Sequence, residues 1–375
     1  MERNLTIHQS INMSDLMEQI HPSDDKNIEI RKKVSQLKTY RPKSCKNCHA
    51  KFFGSNPKKI CNSHSIPRFI LRGVGVNLNN INAFVHIPWE SSKTGVNSAG
   101  TFSLLCTDCD GKLFKEYENP SLYNENFLKE CDRQQVMNEI AMKNYLFSMY
   151  FHLNEKSKYE SMLSKLERDN DTGKGSIVYG IKREEAEIID AKSSFARTKK
   201  YSLSTQDNIY NILYFHVFDY EFSIAFQDKV TIGFDCWGNR INDLGDWEKR
   251  TTDFQLIVFP FDGKTFVLAF AEEPNEQLLR MAKSLQKLAN QRLAVKALIS
   301  MAISSSRNFY ISPNVSESIF RNNYLRELSG DIGLIKTDCF GNEPVDMPET
   351  YASLSQCKLV EQYEKIPDEL FDMNR

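Results

Sequence analysis

Two Cys-x-x-Cys pairs, Cys45/Cys48 and Cys106/Cys109, enclose a lone Ser63-His64-Ser65-Ile66-Pro67, and Asp110 follows the second pair directly. Each tight knuckle presents two sulfurs, so two knuckles complete the tetrahedral shell of one structural zinc. His64 and Asp110 are then left for chemistry. A neutral imidazole accepts a proton from water near neutral pH when a partner fixes its tautomer. A carboxylate oxygen suits a hard ion such as Mg2+, which keeps several waters and meets substrate phosphate through its remaining positions. Together these groups would hydrolyse a phosphodiester, with Arg68 or Arg72 neutralising charge that develops on the phosphate.

A rival grouping joins Cys45/Cys48 to Cys61-x2-His64, a single finger that would consume the histidine. It orphans Cys106 and Cys109 and lacks an apolar helix between its halves, so the four-cysteine set is favoured. The chain has nine cysteines, and the other five (Cys61, Cys131, Cys236, Cys339, Cys357) read as buried thiols. An odd count with metal-type spacing fits a reducing compartment better than a disulfide framework. His49 and His86 read as structural. Gly73-Val74-Gly75 lacks the strand, lysine and hydroxyl of a phosphate loop.

The formal net charge of −1 hides a strong asymmetry. Residues 31–89 carry twelve Lys/Arg and no Asp or Glu, which leaves the remainder at −13. A segment so one-sided repels itself, and a polyanion relieves that repulsion while releasing counterions, so nucleic acid is the expected partner. A solvated basic face without a ligand is the plainer alternative.

The elements that must position these groups follow from pattern. Residues 1–34 form a polar arm with hints of helix at 14–18 and 28–30. Residues 35–122, punctuated by glycine and proline, read as a small zinc-dependent module of short elements. A helical period then sets in at Phe127, Cys131, Val136, Ile140, Met142, Leu146, Met149 and Leu153. The run 142–151 reads as helical core, 169–175 as a loop, and 183–197 as a second helix. Strands are expected over 210–226, 230–234, 254–259 and 265–269, the last two joined by Phe261-Asp262-Gly263-Lys264. The apolar stretch 275–304 should be a helix packed on that sheet. This makes 123–330 a larger α+β domain with antiparallel strands and long helices, followed by a weakly patterned tail, 331–375, that docks late or stays mobile.

Cys45-x-x-Cys48, Ser63-His64-Ser65-Ile66-Pro67 and Thr101-Phe102-Ser103-Leu104-Leu105-Cys106-Thr107-Asp108-Cys109-Asp110, then Phe114 and Glu118, resemble a zinc-containing HNH endonuclease of the ββα-metal fold. The resemblance spans roughly residues 38–120. It implies that His64 activates water, that Cys45, Cys48, Cys106 and Cys109 bind structural Zn2+, and that Asp110 binds a catalytic Mg2+ or Mn2+, with Arg68 assisting. Two positions depart from the family pattern: Ser63 stands where an acid commonly precedes the histidine, and Thr101 where an asparagine is usual. The implied function is a metal-dependent endonuclease acting on DNA ahead of RNA. A faint likeness of 124–375 to the variable half of bacterial defence nucleases suggests a protein partner or homo-oligomer there. The other-class reading is a zinc-stabilised nucleic-acid-binding or complex-assembly module that cuts nothing.

No membrane partner is expected, since the stretch 209–217 is short and holds Tyr210, Asn211 and His216. Residues 1–10 carry Glu2, Arg3 and Asn4 in place of an apolar leader, so a cytoplasmic location is expected.

Overall fold

The computed structural model describes residues 39–75, 81–84, 92–97, 99–129, 132–169, 174–201, 209–244, 250–288, 290–306, 308–320, 322–330 and 357–372. The fold is α+β. Its elements are β1 (Ser63–His64), α1 (Arg68–Val74), β2 (Ile81–Phe84), β3 (Ser92–Thr94), β4 (Thr101–Phe102), α2 (Thr107–Leu113), α3 (Arg133–Asp169) and α4 (Lys174–Tyr201). Then come β5 (Tyr210–Phe218), β6 (Ile224–Val230), β7 (Phe254–Phe261), β8 (Lys264–Glu272), α5 (Glu276–Lys287), α6 (Gln291–Ser305), β9 (Phe309–Ile311), α7 (Glu317–Phe320) and α8 (Asn323–Gly330).

One antiparallel sheet dominates, in the order β3-β2-β9-β6-β7-β8-β5. Its central strands are buried on both faces, and their side chains alternate between two cores. Phe254, Leu256 and Val258 of β7, with Val267, Ala269 and Ala271 of β8, face α5, α6, α8 and the C-terminal segment. Ile257, Phe259, Phe266, Leu268 and Phe270 face the other way, onto α1, α3 and the cysteine-rich region. The β7–β8 hairpin closes on Asp262 and Gly263, with φ of 53° and 75°. Positive φ at both positions is what a tight type I′ turn demands, so the Asp-Gly pair is the sequence's own register mark.

α3, with 37 residues, is about 55 Å long. It packs antiparallel on α4, since His152 meets Glu187 and Lys156 meets Glu185, so that one helix ascends as the other descends. Both helices run past the expected limits. Asp169, Lys174 and Gly175 of the expected loop belong to helix, and 170–173 lie outside the described residues.

The expected single strand over 210–226 is two strands, broken at residues 219–223, where the Phe222 amide turns to Thr265 Oγ1 and that of Ser223 to the Leu370 carbonyl. The strand expected at 230–234 is instead the end of β6, followed by a single bridge between Phe234 and Arg240. The expected helix over 275–304 is two, because Asn290 caps a new start: its side chain accepts from the Arg292 amide. Part of the tail docks firmly. Val360, Tyr363, Ile366, Leu370 and Phe371 enter the core, and Lys296 reaches Asp368 at 2.9 Å. The arm 1–34, the tail stretch 331–356, His86, Cys131 and Cys339 lie outside the described residues.

The described residues of 35–122 pack on the large sheet. β2 pairs with β9 through Asn82↔Ile311 and Ala83↔Tyr310, which carries this segment into the large sheet. Phe69 of α1 packs edge-on to Phe261 of β7 at 4.9 Å, in one apolar cluster with the cysteine-rich region and α3. No described helix is long and apolar enough to cross a membrane.

Candidate functional site

The cysteine turns build themselves from backbone. Cys45 N–H donates to the Ala50 carbonyl and His49 N–H to the Cys45 carbonyl, both at 2.9 Å, with His49 at a φ of 59°. The second pair sits at the start of α2, where Cys106 precedes the first turn and Cys109 lies within it. Lys46 N–H to the Leu104 carbonyl and Cys61 N–H to the Leu105 carbonyl, each 2.9 Å, stitch the turns together across the chain.

The sulfurs of Cys45, Cys48, Cys106 and Cys109 all lie within 4.8 Å of one another. A tetrahedral ion with Zn–S bonds of about 2.3 Å spaces its sulfurs by about 3.8 Å; Cys48 Sγ and Cys106 Sγ are 3.8 Å apart. The four side chains therefore fit a structural metal ion such as zinc. Burial pushes the Cys45 thiol up, but amides of Cys48, Cys106 and Asn47 outweigh it and bring its pKa to about 7. The Asn47 side-chain amide also donates to Cys109 Sγ at 3.2 Å. The rival finger is excluded by geometry, since Cys61 Sγ turns to Asp110 Oδ2 (3.3 Å) and His64 turns elsewhere.

His64 stands on β1, which pairs antiparallel with β4 through Ser63↔Phe102 and His64↔Thr101, and α2 follows that ladder. Its Nε2 lies 3.0 Å from the carbonyl oxygen of Val96. A carbonyl can only accept, so the proton is fixed on Nε2 and the lone pair is left on Nδ1, the tautomer a general base needs. Burial lowers the basicity of the half-buried ring; the Val96 carbonyl and Asp110 oppose this, while the charges of Lys143 and Arg68 add to it. The strand is seated on the large sheet. Ser65 Oγ donates to Asn308 Oδ1 at 2.8 Å, and Gly100 (φ 57°) leaves no room for a Cβ beside the hydroxyls of Tyr310 and Ser65.

Asp110 is near enough to His64 to act on its pKa, and it has close partners of its own. Its carboxylate accepts from the hydroxyl of Ser63, from Cys61, and from the ammonium of Lys143 at 3.1 Å. Lys143, on α3, also donates to Ser63 Oγ at 2.7 Å and pairs with Glu118 Oε1 at 2.8 Å. Its side chain is 0% exposed, against 17% for Asp110 and 32% for Glu118, and its ammonium lies 3.7 Å from the centre of the Phe114 ring. Burial alone would raise the pKa of Asp110, but the Lys143 charge and the hydrogen bonds from Ser63, Cys61 and Lys143 together outweigh it and the net shift is downward; at Glu118 burial prevails and the shift is upward. A catalytic Mg2+ or Mn2+ does not fit these residues as they stand, because the Asp110 oxygen facing Ser63 is already shared with an ammonium.

Arg68 and Arg72 are exposed on α1, four residues apart and so on one helix face. Arg68 donates to Asn97 Oδ1, one residue beyond the carbonyl that holds His64, and neither arginine replaces Lys143 as partner of Glu118. The Glu116 amide donates to Glu139 Oε2 at 2.9 Å.

Two groups escape a reading by motif. Lys143 lies inside the run 142–151, but a lysine at three- and four-residue steps from Val136, Ile140 and Leu146 stands on the apolar stripe and must carry a buried partner. Phe53 is 61% exposed at the tip of a loop closed by the Lys58 amide on the Lys51 carbonyl (3.0 Å). Lys51, Lys58 and Lys59 around it are exposed, and Lys58 pairs with Asp108. An exposed aromatic ring among cations offers an open face for stacking.

No protein-family model, curated protein or solved structure matches the chain.

Proposed function

We propose that this chain is a zinc-pinned nuclease whose His64 is the general base of phosphodiester hydrolysis, with DNA as the first substrate to test. The observation that supports this best is the His64 tautomer: Nε2–H on the Val96 carbonyl and the lone pair on Nδ1, on a strand inside the acid-free basic segment 31–89. Zinc held by the four cysteines would supply rigidity and no chemistry. His64 Nδ1 would take a proton from the water that attacks phosphorus, and Arg68, with Arg72 one turn on, would neutralise charge on the non-bridging oxygens. The departing oxygen would leave to solvent as an alcohol after protonation.

Nicking of supercoiled plasmid, with a labelled RNA in parallel, tests the reading. His64→Ala should lower cleavage about 10^2- to 10^4-fold with metal content and melting temperature unchanged. Wild-type cleavage carried by His64 should also persist below the ordinary histidine pKa of about 6.5, because burial disfavours the protonated ring. Undiminished cleavage by His64→Ala sinks the assignment.

The second reading, a nucleic-acid-binding module that cuts nothing, is favoured by Lys143 standing on Asp110. Binding without nicking, weakening steeply with salt, would establish it. Under either reading Phe53→Ala should weaken single-strand binding by about 1–3 kcal/mol and duplex binding far less, measured by fluorescence anisotropy.

A further inference from the structure

We infer that Lys143 is the resident cation of the cradle formed by Ser63, Asp110 and Glu118, and that its ammonium holds the place a divalent ion would need. An ammonium has three N–H donors, and here each has an acceptor: Ser63 Oγ at 2.7 Å, Asp110 Oδ1 at 3.1 Å and Glu118 Oε1 at 2.8 Å. The fourth side of the nitrogen is the methylene stem, and the Phe114 ring, 3.7 Å away to its centre, is a further favourable contact. Nothing is left over for a phosphate, so Lys143 positions groups and does not touch substrate.

The ion and the ammonium exclude each other. A divalent charge within about 4 Å of an ammonium is repelled at any dielectric constant, and in this half-closed site the repulsion is stronger than in water. Nor can the lysine step aside with its helix. The next residue, Asn144, donates to Gln255 Oε1 at 2.9 Å and accepts from Gln227 Nε2 at 2.8 Å, which locks this turn of α3 to the central strands. Lys143 thus ties α3 to β1 through Ser63 and to α2 through Asp110, and it sets the strand that presents His64. None of this depends on whether a phosphodiester is cut.

The test is metal uptake by the full-length, zinc-loaded chain, with free Mn2+ followed by electron paramagnetic resonance. Wild type and Asp110→Asn should give the same Mn2+ titration. Lys143→Met, which leaves two carboxylates facing one another, should gain one Mn2+ per chain, and Lys143→Met/Asp110→Asn should lose it again. A wild-type Mn2+ site that vanishes in Asp110→Asn would overturn the inference, as would folded Lys143→Met that takes up no Mn2+. Should Lys143→Met fail to fold, wild type against Asp110→Asn decides alone: equal titrations uphold the resident lysine, and a lost site refutes it. Absence of nuclease activity would leave each of these outcomes readable.

Discussion

Serine in place of Cys106 is expected to empty the four-sulfur knot and to unfold residues 43–61, while the seven-stranded sheet stays folded. Cys106 is buried, and it stands where the Ile60 bridge, the α2 start and the Cys48 sulfur converge. A structural zinc contributes about 10–16 kcal/mol of apparent folding free energy in peptides that have little else. Residues 43–61 resemble that case, since Phe52 and Cys45 are their main buried apolar groups. The rest of the chain does not, because α1 and β2 rest on the sheet through Phe69–Phe261 and Ala83↔Tyr310. The loss should therefore be local. Hydrogen exchange followed by mass spectrometry should show amides of 43–61 at unfolded rates and amides of β7 and β8 unchanged, with zinc content near zero. Cys236→Ser should keep the metal, since Cys236 lies in the opposite core. Zinc retained in Cys106→Ser would contradict the tetrahedral set.

Lys143→Met should cost about 3–5 kcal/mol of stability at neutral pH, the usual penalty for removing one partner of a buried ion pair. The penalty comes from what remains: Asp110 and Glu118 would share a mostly enclosed space with no counter-charge. Its pH dependence has a definite sign. In the wild type, burial opposes the Lys143 charge and the hydrogen bonds from Ser63, Cys61 and Lys143, which together hold the folded-state pKa of Asp110 below its ordinary value, so that contribution is present above the unfolded pKa and is lost as pH falls through the folded one. Without the lysine both carboxylates shift upward, and protonating either relieves the repulsion. The stability gap between variant and wild type should hence be widest near pH 8 and narrow towards pH 5, by urea denaturation at each pH. Adding Asp110→Asn and Glu118→Gln should recover most of the loss, because an uncharged cradle has nothing left to compensate. Bound Mn2+ should raise the melting temperature of Lys143→Met and leave that of wild type unmoved, the linkage signature of a site present in one protein alone.

Several features were legible because their signal is local. Cys-x-x-Cys is a turn that orients its own sulfurs, and the pairs do meet within 4.8 Å. Asp262-Gly263 marks its hairpin because few other residues accept positive φ twice running. The three- and four-residue steps from Phe127 to Leu153 and the aromatic and β-branched runs of β7 and β8 reflect burial that each segment imposes by itself. Other features were silent. Ile81-Asn82-Ala83-Phe84 and Ser92-Lys93-Thr94 carry no strand pattern of their own, and they pair because β9, more than two hundred residues later, offers an open edge.

Residue types and short spacings by themselves determined the α+β class and the two Cys-x-x-Cys turns, since each needs only neighbours a few positions apart. Tertiary structure alone decided what the charged groups do. Asp110 meets Lys143 across 33 residues and Ser63 meets it across 80, and a carboxylate free in the sequence thereby becomes one already neutralised. The physical reason is that a charge entering a core takes whichever opposite charge the packing brings within reach, and no one-dimensional pattern records that choice.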